Sequence, residues 1–174
     1  MASEDLKGLI QKLQKGDIAV FDDIYYQTKN IVYYTILGIL KDPSLSEDIM
    51  QDTYLKALEK IHSYKPKASF TAWIVTIARN LALNEYNKMK KELKIDPQTD
   101  EYVFGTTKSN SESEMIVEEL LDKLKDKEKE IVILHVIGDL KHKEIARLLD
   151  MPLGTVTWTY SEAIKKLKDE EETI

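Results

Sequence analysis

Apolar residues recur at helical spacing along most of the chain. Leu6, Leu9, Ile10 and Leu13 stand at i, i+3, i+4 and i+7, which predicts an amphipathic helix over the first segment. Gly16-Asp17 interrupts the pattern, and Asp17 is suited to cap the next helix. Ile18, Phe21, Tyr25, Thr28, Val32, Ile36 and Ile39 then keep a helical period to about Leu40, where Lys41-Asp42-Pro43 ends it. Ser44-x-x-Glu47 has the form of a capping box and predicts a third helix from 44 to about 61. Residues 62–68, with Pro66 among them, read as a loop, and Ser69 caps a fourth helix that runs to about Leu93.

Between Lys94 and Asn110 the period disappears, and Pro, Gly, Thr, Ser and Asp accumulate. That change in composition marks a domain linker. Ser111-x-x-Glu114 predicts a short helix to about Lys125, and Asp126 starts another that ends near Gly138-Asp139. Helices near 140–149 and 153–170 complete the chain, with a frayed, solvated tail DEEETI. The expected fold is therefore all-α. Two small four-helix domains, 1–93 and 111–174, are joined by the linker 94–110.

Composition narrows the chemistry. Six Gly and four Pro in 174 residues favour helices with few breaks. The absence of Cys excludes disulfides, thiolate zinc sites and thiol catalysis. No apolar run approaches the roughly 18 residues of a membrane span, and the charged N-terminus carries no signal-peptide core, so a cytoplasmic location is expected. The net charge of −6 argues against indiscriminate coating of nucleic acid. Its distribution is uneven: residues 64–92 hold six basic side chains against two acidic, whereas residues 93–174 hold 12 against 19. A basic stretch on an acidic chain suggests one limited phosphate-contacting surface, though a solvated lysine-rich helix end would look the same. His62, His135 and His142 are scattered without ligand spacing, and neither a Gly-rich phosphate loop nor a nucleophile elbow is present. No cofactor, no metal and no enzymatic activity are expected.

Residues 144–156 (EIARLLDMPLGTV) read as helix, turn, helix. Ala146 is small enough for a close crossing, Asp150 tolerates a left-handed turn, and Pro152 suits the start of the second helix. Val156 is placed to point back onto Ile145 and Leu149, leaving Thr155, Thr157, Thr159 and Ser161 to face outward. That arrangement delivers the first turns of the second helix to a major groove; a generic helical hairpin is the plainer alternative.

Three blocks carry a resemblance. Glu144-Ile-Ala, Gly154-Thr-Val and Ala163-Ile-Lys-Lys-Leu together resemble region 4 of bacterial sigma factors. Glu47-Asp-Ile-Met-Gln-Asp-Thr-Tyr-Leu-Lys-Ala resembles the family's region 2 helix, and Phe70-x-x-Trp73-x-x-x-Ile77-Ala78-Arg79-Asn80 resembles the helix after it. In this order and this short a chain, the blocks resemble the extracytoplasmic-function subgroup, over nearly everything from Asp17 to Lys168. The resemblance implies binding to core RNA polymerase, direction to −35 and −10 promoter elements, melting of the −10 region, and restraint by an anti-sigma factor.

Helical projection places candidate residues within that frame. In the third helix, Ile49, Met50, Thr53, Tyr54, Ala57, Leu58 and Ile61 make a core face. Opposite them Leu55 stands among Glu47, Asp48, Gln51, Asp52 and Glu59, a docking patch for a basic partner or an acidic solvated face with one stray Leu. The resemblance implies that core polymerase binds there. In the fourth helix, Phe70, Ile74, Ile77 and Leu81 form the core stripe, with Trp73, Thr76, Asn80, Asn84 and Asn87 on an adjacent flank. Such groups can hydrogen-bond or stack on an unstacked base, and Lys88, Lys90 and Lys91 can hold phosphates. Lys65, Lys67 and Ser69 lie where the resemblance implies capture of a flipped −10 base. Trp73 fits core packing as well as base contact.

The −35 candidates are Thr155, Thr157, Trp158, Thr159, Ser161, Glu162, Lys165 and Lys166. This helix departs from the family pattern: neutral Thr157 and Thr159 and acidic Glu162 stand where the family presents cations, and the helix has no Arg to pair with guanine. Weak DNA binding by the isolated C-terminal domain is expected. A sigma mimic that titrates an anti-sigma factor, or a helix-turn-helix regulator with a sensory N-terminal domain, are the alternatives.

Overall fold

A computed structural model describes residues 5–67, 69–93 and 111–171; residues 1–4, Ala68, the linker 94–110 and the last three residues of the tail lie outside the described residues. Every regular element among the described residues is helical, as the apolar spacing predicts. The first half comprises α1 (Leu6–Gln14), α2 (Phe21–Leu40), α3 (Pro43–Glu59) and α4 (Phe70–Leu93). The second comprises α5 (Glu112–Asp122), α6 (Asp126–Val132), α7 (His142–Leu149) and α8 (Leu153–Glu171).

Local chemistry sets the boundaries. Asp17 caps a short 3₁₀ turn, Ile18–Val20, that leads into α2, its side chain accepting from the Ala19 amide at 3.2 Å. Lys41 closes α2 in the left-handed region at φ 57°. The Ser44 capping box is not formed. Asp42 is the cap instead, accepting from the Leu45 amide at 3.0 Å, with Pro43 in the first turn. Pro has no amide to leave unpaired there and its φ is already helical, so the helix begins two residues earlier than a Ser44 cap would start it. Ser111 does cap α5, accepting from the Glu114 amide. The helix expected from 126 to 138 is α-helical only to Val132. A π-helical turn, Ile133–Ile137, comes next, closed by the Gly138 amide donating to the Ile133 carbonyl at 3.1 Å.

The N-terminal core joins Leu9, Ile10, Ile24, Val32, Ile36, Leu40, Ile49, Tyr54, Phe70 and Ile74 from all four helices. The Thr28 and Tyr54 hydroxyls are paired, their oxygens 2.7 Å apart, and Thr28 also donates to the Ile24 carbonyl; the Thr35 hydroxyl is buried without a partner among the described residues. Burial pushes the Tyr54 hydroxyl well above the ordinary phenol range, so it stays neutral.

The second core does not stop at the C-terminal half. Ile31, Tyr34 and Val75 from α2 and α4 are buried among Leu134, Leu140, Ile145 and their neighbours. Thus α2 has two apolar stripes: Val32, Ile36 and Ile39 face one core, while Ile31, Tyr34 and Gly38 lie at i, i+3 and i+7 toward the other. A Cβ on Gly38 would lie 3.4 Å from the Ile133 side chain. Ion pairs border the seam: Arg79 of α4 with Glu130 of α6, and Lys41 with Asp126 at 3.4 Å. Gly138 is the tightest point. A Cβ there would meet the Leu134 carbonyl oxygen at 2.7 Å and Ile31 Cδ1 at 2.8 Å. Gly138→Ala is therefore expected to destabilise the protein by about 1–3 kcal/mol, measured as a lower midpoint in a circular-dichroism melt; an unchanged midpoint would show that this contact relaxes freely.

Candidate nucleic-acid and protein interfaces

On α3, the residues predicted to form a docking patch share one solvent face. Glu47, Asp48, Gln51, Asp52, Leu55 and Glu59 are all exposed, and Leu55 shows 65% of its surface. The helix is held from behind by Ile49, Thr53, Tyr54 and Ala57, with Phe21 packed edge-on to Tyr54 at 5.9 Å. A large apolar side chain in a ring of carboxylates is presented rather than packed.

On α4, Thr76, Asn80, Asn84, Lys88 and Lys91 are exposed along one flank, and Asn87 joins them. The stripe Phe70, Ile74, Val75, Ala78 and Ala82 anchors the opposite side. The Thr76 hydroxyl donates to the Ala72 carbonyl at 2.7 Å, so one of its hydrogen-bonding directions is used within the helix. Lys90 lies over the Tyr86 ring, 4.9 Å from its centroid, and is half-buried. Trp73 is half-buried against Tyr64 and Phe70, with ring centroids 5.5 Å away in each case. It belongs chiefly to the core wall. Lys65 and Lys67 are exposed in the loop before α4. Gln14 steadies that loop by donating to the Ile61 and Tyr64 carbonyls at 2.9 and 3.0 Å. Ser69 caps α4, its hydroxyl accepting from the Ala72 amide.

The helix-turn-helix is formed by α7 and α8. Asp150 adopts φ 52° in the turn, Ala146 is buried where the helices cross, and Val156 is fully buried, all as the sequence suggests. Thr155, Thr157, Trp158 and Ser161 are exposed on α8, Trp158 by 65%. Thr159 corrects the expectation: it is buried, not outward-facing. Val156, Thr159 and Ala163 stand at i, i+3 and i+7 and form the inward stripe, so Thr159 is not a base-contacting candidate. Glu162 is half-buried. Lys165 is exposed, whereas Lys166 is engaged by Glu128 at 2.6 Å, a pairing that holds the Glu128 carboxyl below its usual range.

Two features escaped the sequence pattern. Lys141, Lys143 and Arg147 are exposed on and beside α7, giving the first helix of the motif the positive charge that α8 lacks. Their signal was the i, i+4 spacing of Lys143 and Arg147. The other feature is the meeting of His135 and His142, expected to be scattered, with ring centroids 4.6 Å apart. Among the described residues no group of three or more metal-ligating side chains occurs, and no helix is long and apolar enough to cross a membrane.

Residues 24–92 match the family model for Sigma-70 region 2, and residues 114–167 match that for Sigma-70, region 4. The chain is 27% identical over 169 residues to the ECF RNA polymerase sigma factor SigW of Bacillus subtilis, covering 87% of this chain and 88% of the relative. It is 27% identical over 151 residues to SigM of the same organism, with 84% and 92% covered. Among solved structures it resembles CnrH, determined with the cytosolic domain of CnrY, at a TM-score of 0.65 and 18% identity, with 96% and 97% of the chains covered. It also resembles the sigma factor RpoE of Bartonella quintana, determined with the anti-sigma factor NepR, at a TM-score of 0.66 and 19% identity, with 87% and 96% covered. These two likenesses concern the fold.

Proposed function

The chain belongs to the sigma-70 family, as an extracytoplasmic-function RNA polymerase sigma factor, and on that premise we propose how its surfaces divide the work. The acidic face of α3 around Leu55 docks on core RNA polymerase. The α4 flank, with the loop before it, takes the melted −10 strand: Asn80 and Asn84 bond base edges, and Lys65, Lys67, Lys88 and Lys91 hold phosphates. Residues 111–174 form the −35 module. Thr155, Thr157, Trp158 and Ser161 enter the major groove, and Lys141, Lys143 and Arg147 fix the motif on the backbone. The protein acts in the cytoplasm, performs no bond chemistry, and is restrained by an anti-sigma factor; its fold neighbour RpoE was determined in complex with one.

The observation that carries this division is that all three surfaces stand exposed on helices whose opposite faces are locked into cores. The packed halves add a condition. Elements centred near −35 and −10 lie about 25 base pairs apart, or about 85 Å along B-form DNA at 3.4 Å per base pair. Arg79, beside the −10 flank, is paired with Glu130 of the −35 module, so in the packed form the two readers sit on touching bodies. Engagement of both elements requires the seam to open.

The decisive experiment adds the protein to core RNA polymerase with a promoter library and sequences the transcripts. Promoter-specific initiation is expected. Binding to core without initiation, the behaviour of a sigma mimic, would overturn the proposal, as would failure to bind core at all.

A further inference from the structure

Three rings meet behind the exposed face of the helix-turn-helix, and neither core docking nor DNA reading, as assigned to the surfaces of α3, α4, α7 and α8, uses them. His135 comes from the π-helical turn, His142 opens α7, and Tyr160 lies on α8. Their centroids are 4.6 Å apart for His135–His142, 4.6 Å for His135–Tyr160 and 4.9 Å for His142–Tyr160. His135 Nδ1 lies 2.8 Å from the Leu140 carbonyl oxygen. A carbonyl only accepts, so that nitrogen carries the proton and the ring is fixed in one tautomer. His142 Nδ1 lies 3.2 Å from the Thr157 hydroxyl, while its Nε2 is buried with no hydrogen-bond partner among the described residues. One nitrogen of this ring therefore reaches an outward residue of α8, and the other ends in the cluster.

We propose that His142 is a positioning residue for −35 reading: it fixes the hydroxyl of Thr157 on the groove-facing side of α8, and does so only while its ring is uncharged. This rests on the assignment of α8 to the −35 element. A threonine hydroxyl can be presented in more than one χ1 rotamer. The bond to His142 selects one of them and leaves the remaining hydroxyl capacity to a base edge.

The dependence on charge comes from the ring's surroundings. With Nδ1 donating to the Thr157 oxygen, a second proton would sit at Nε2. It does not itself break that bond, but it puts a charge in a space without an acceptor and against His135, so the charged ring turns out to solvent and leaves Thr157. The π-helical turn contributes His135, and α8 contributes Tyr160 and Thr157. On its own helix, Lys143 is exposed and the Glu144 carboxylate is turned to the Lys141 amide at 2.8 Å. Asp139, in the loop before α7, is exposed. Burial, then His135, push the His142 pKa down, and no carboxylate counters them. Because the folded pKa lies below the unfolded value of about 6.5, the unfolded chain binds more protons in the interval between the two. The stabilising contribution is thus complete above about pH 6.5 and is lost as pH falls below it.

The test uses the full chain in holoenzyme. It measures the ratio of initiation at a cognate promoter to that at one with a substituted −35 element, from pH 7.5 to 5.5; the ratio cancels the pH dependence of polymerase. In the wild type the ratio should fall progressively as the pH drops below about 6.5, toward the low ratio of His142→Phe. His142→Phe keeps a ring but no bond to Thr157 and should lower the ratio at every pH. His142→Asn places an amide where Nδ1 stood and should restore the ratio without pH dependence. Thr157→Val, at an exposed site that does not threaten folding, should give a low, pH-independent ratio. Full discrimination by His142→Phe or by Thr157→Val would overturn the positioning role. An acid-induced fall in His142→Asn equal to the wild type's would overturn its charge dependence. Failure of the wild type to initiate with core at pH 7.5 would instead overturn the sigma assignment itself.

Discussion

Joining Lys41→Cys to Asp126→Cys with a short flexible thiol crosslinker should reduce promoter-specific transcription about fivefold or more while leaving core binding in place. The two positions are exposed and already paired at 3.4 Å across the seam, and the chain has no other cysteine, so the link is specific and disturbs no core. Each half, of roughly 60–90 residues, is about 30 Å across. Tied at this point, two such bodies span about 70 Å with the crosslinker included, short of the about 85 Å between elements. The segment 94–110, which reaches about 60 Å when extended, covers the distance once the seam is open. Bending the intervening DNA to compensate costs on the order of 1–6 kcal/mol, a factor of about 5 to over 10⁴ in occupancy.

Core binding is the internal control, because Leu55 lies about 18 Å further along α3 from its start at Pro43. Cleaving a reversible crosslinker should restore transcription, and singly modified variants should resemble the wild type. Undiminished transcription by the crosslinked protein would mean that the packed arrangement is competent on promoters.

The helices were legible because apolar spacing is a local property. The core stripes of α1, α3 and α4 fall where the 3.6-residue period places them. The misjudged details have local causes. Thr155, Thr157 and Thr159 look alike at every second position, but helix geometry groups Thr159 with Val156 and Ala163. At the start of α3, two plausible caps compete, and Pro43 decides for Asp42. What the sequence concealed is long-range. Nothing in the spacing of Ile31, Tyr34 and Gly38 says that a second body packs there, since Ile31 and Tyr34 could equally belong to a broader first core. His135 and His142 meet across the π-helical turn and the loop after it, a contact that sequence spacing alone does not show. The candidate surfaces on α3 and α4 could be drawn from projection alone. Their relation to one another required the packed structure, whereas the positive charge on α7 had a signal in the spacing of Lys143 and Arg147 that a projection of α8 alone overlooks.

The α3 patch yields the other large effect. Leu55→Ala combined with Asp52→Lys should weaken binding to core polymerase by about 10²- to 10⁴-fold, measured by competition with a labelled sigma factor. Truncating a central apolar anchor at an interface costs about 1–3 kcal/mol, and setting a lysine against a basic partner surface costs a few more. The two act on one contact, so their effects need not add. Both side chains are exposed in the free protein, and Ala and Lys are good helix formers, so the helical circular-dichroism signal and melting midpoint should stay unchanged. That separation matters because α3 also carries Tyr54 and Ile49 in the core, where substitution would abolish binding merely by unfolding the domain. Unchanged core affinity in the double variant would remove the patch from the interface. It would shift attention to the other exposed apolar face, Met115, Ile116 and Leu120 on α5, which lies in the other half of the chain and makes a different prediction: core binding would then survive any change to α3 that preserves its fold.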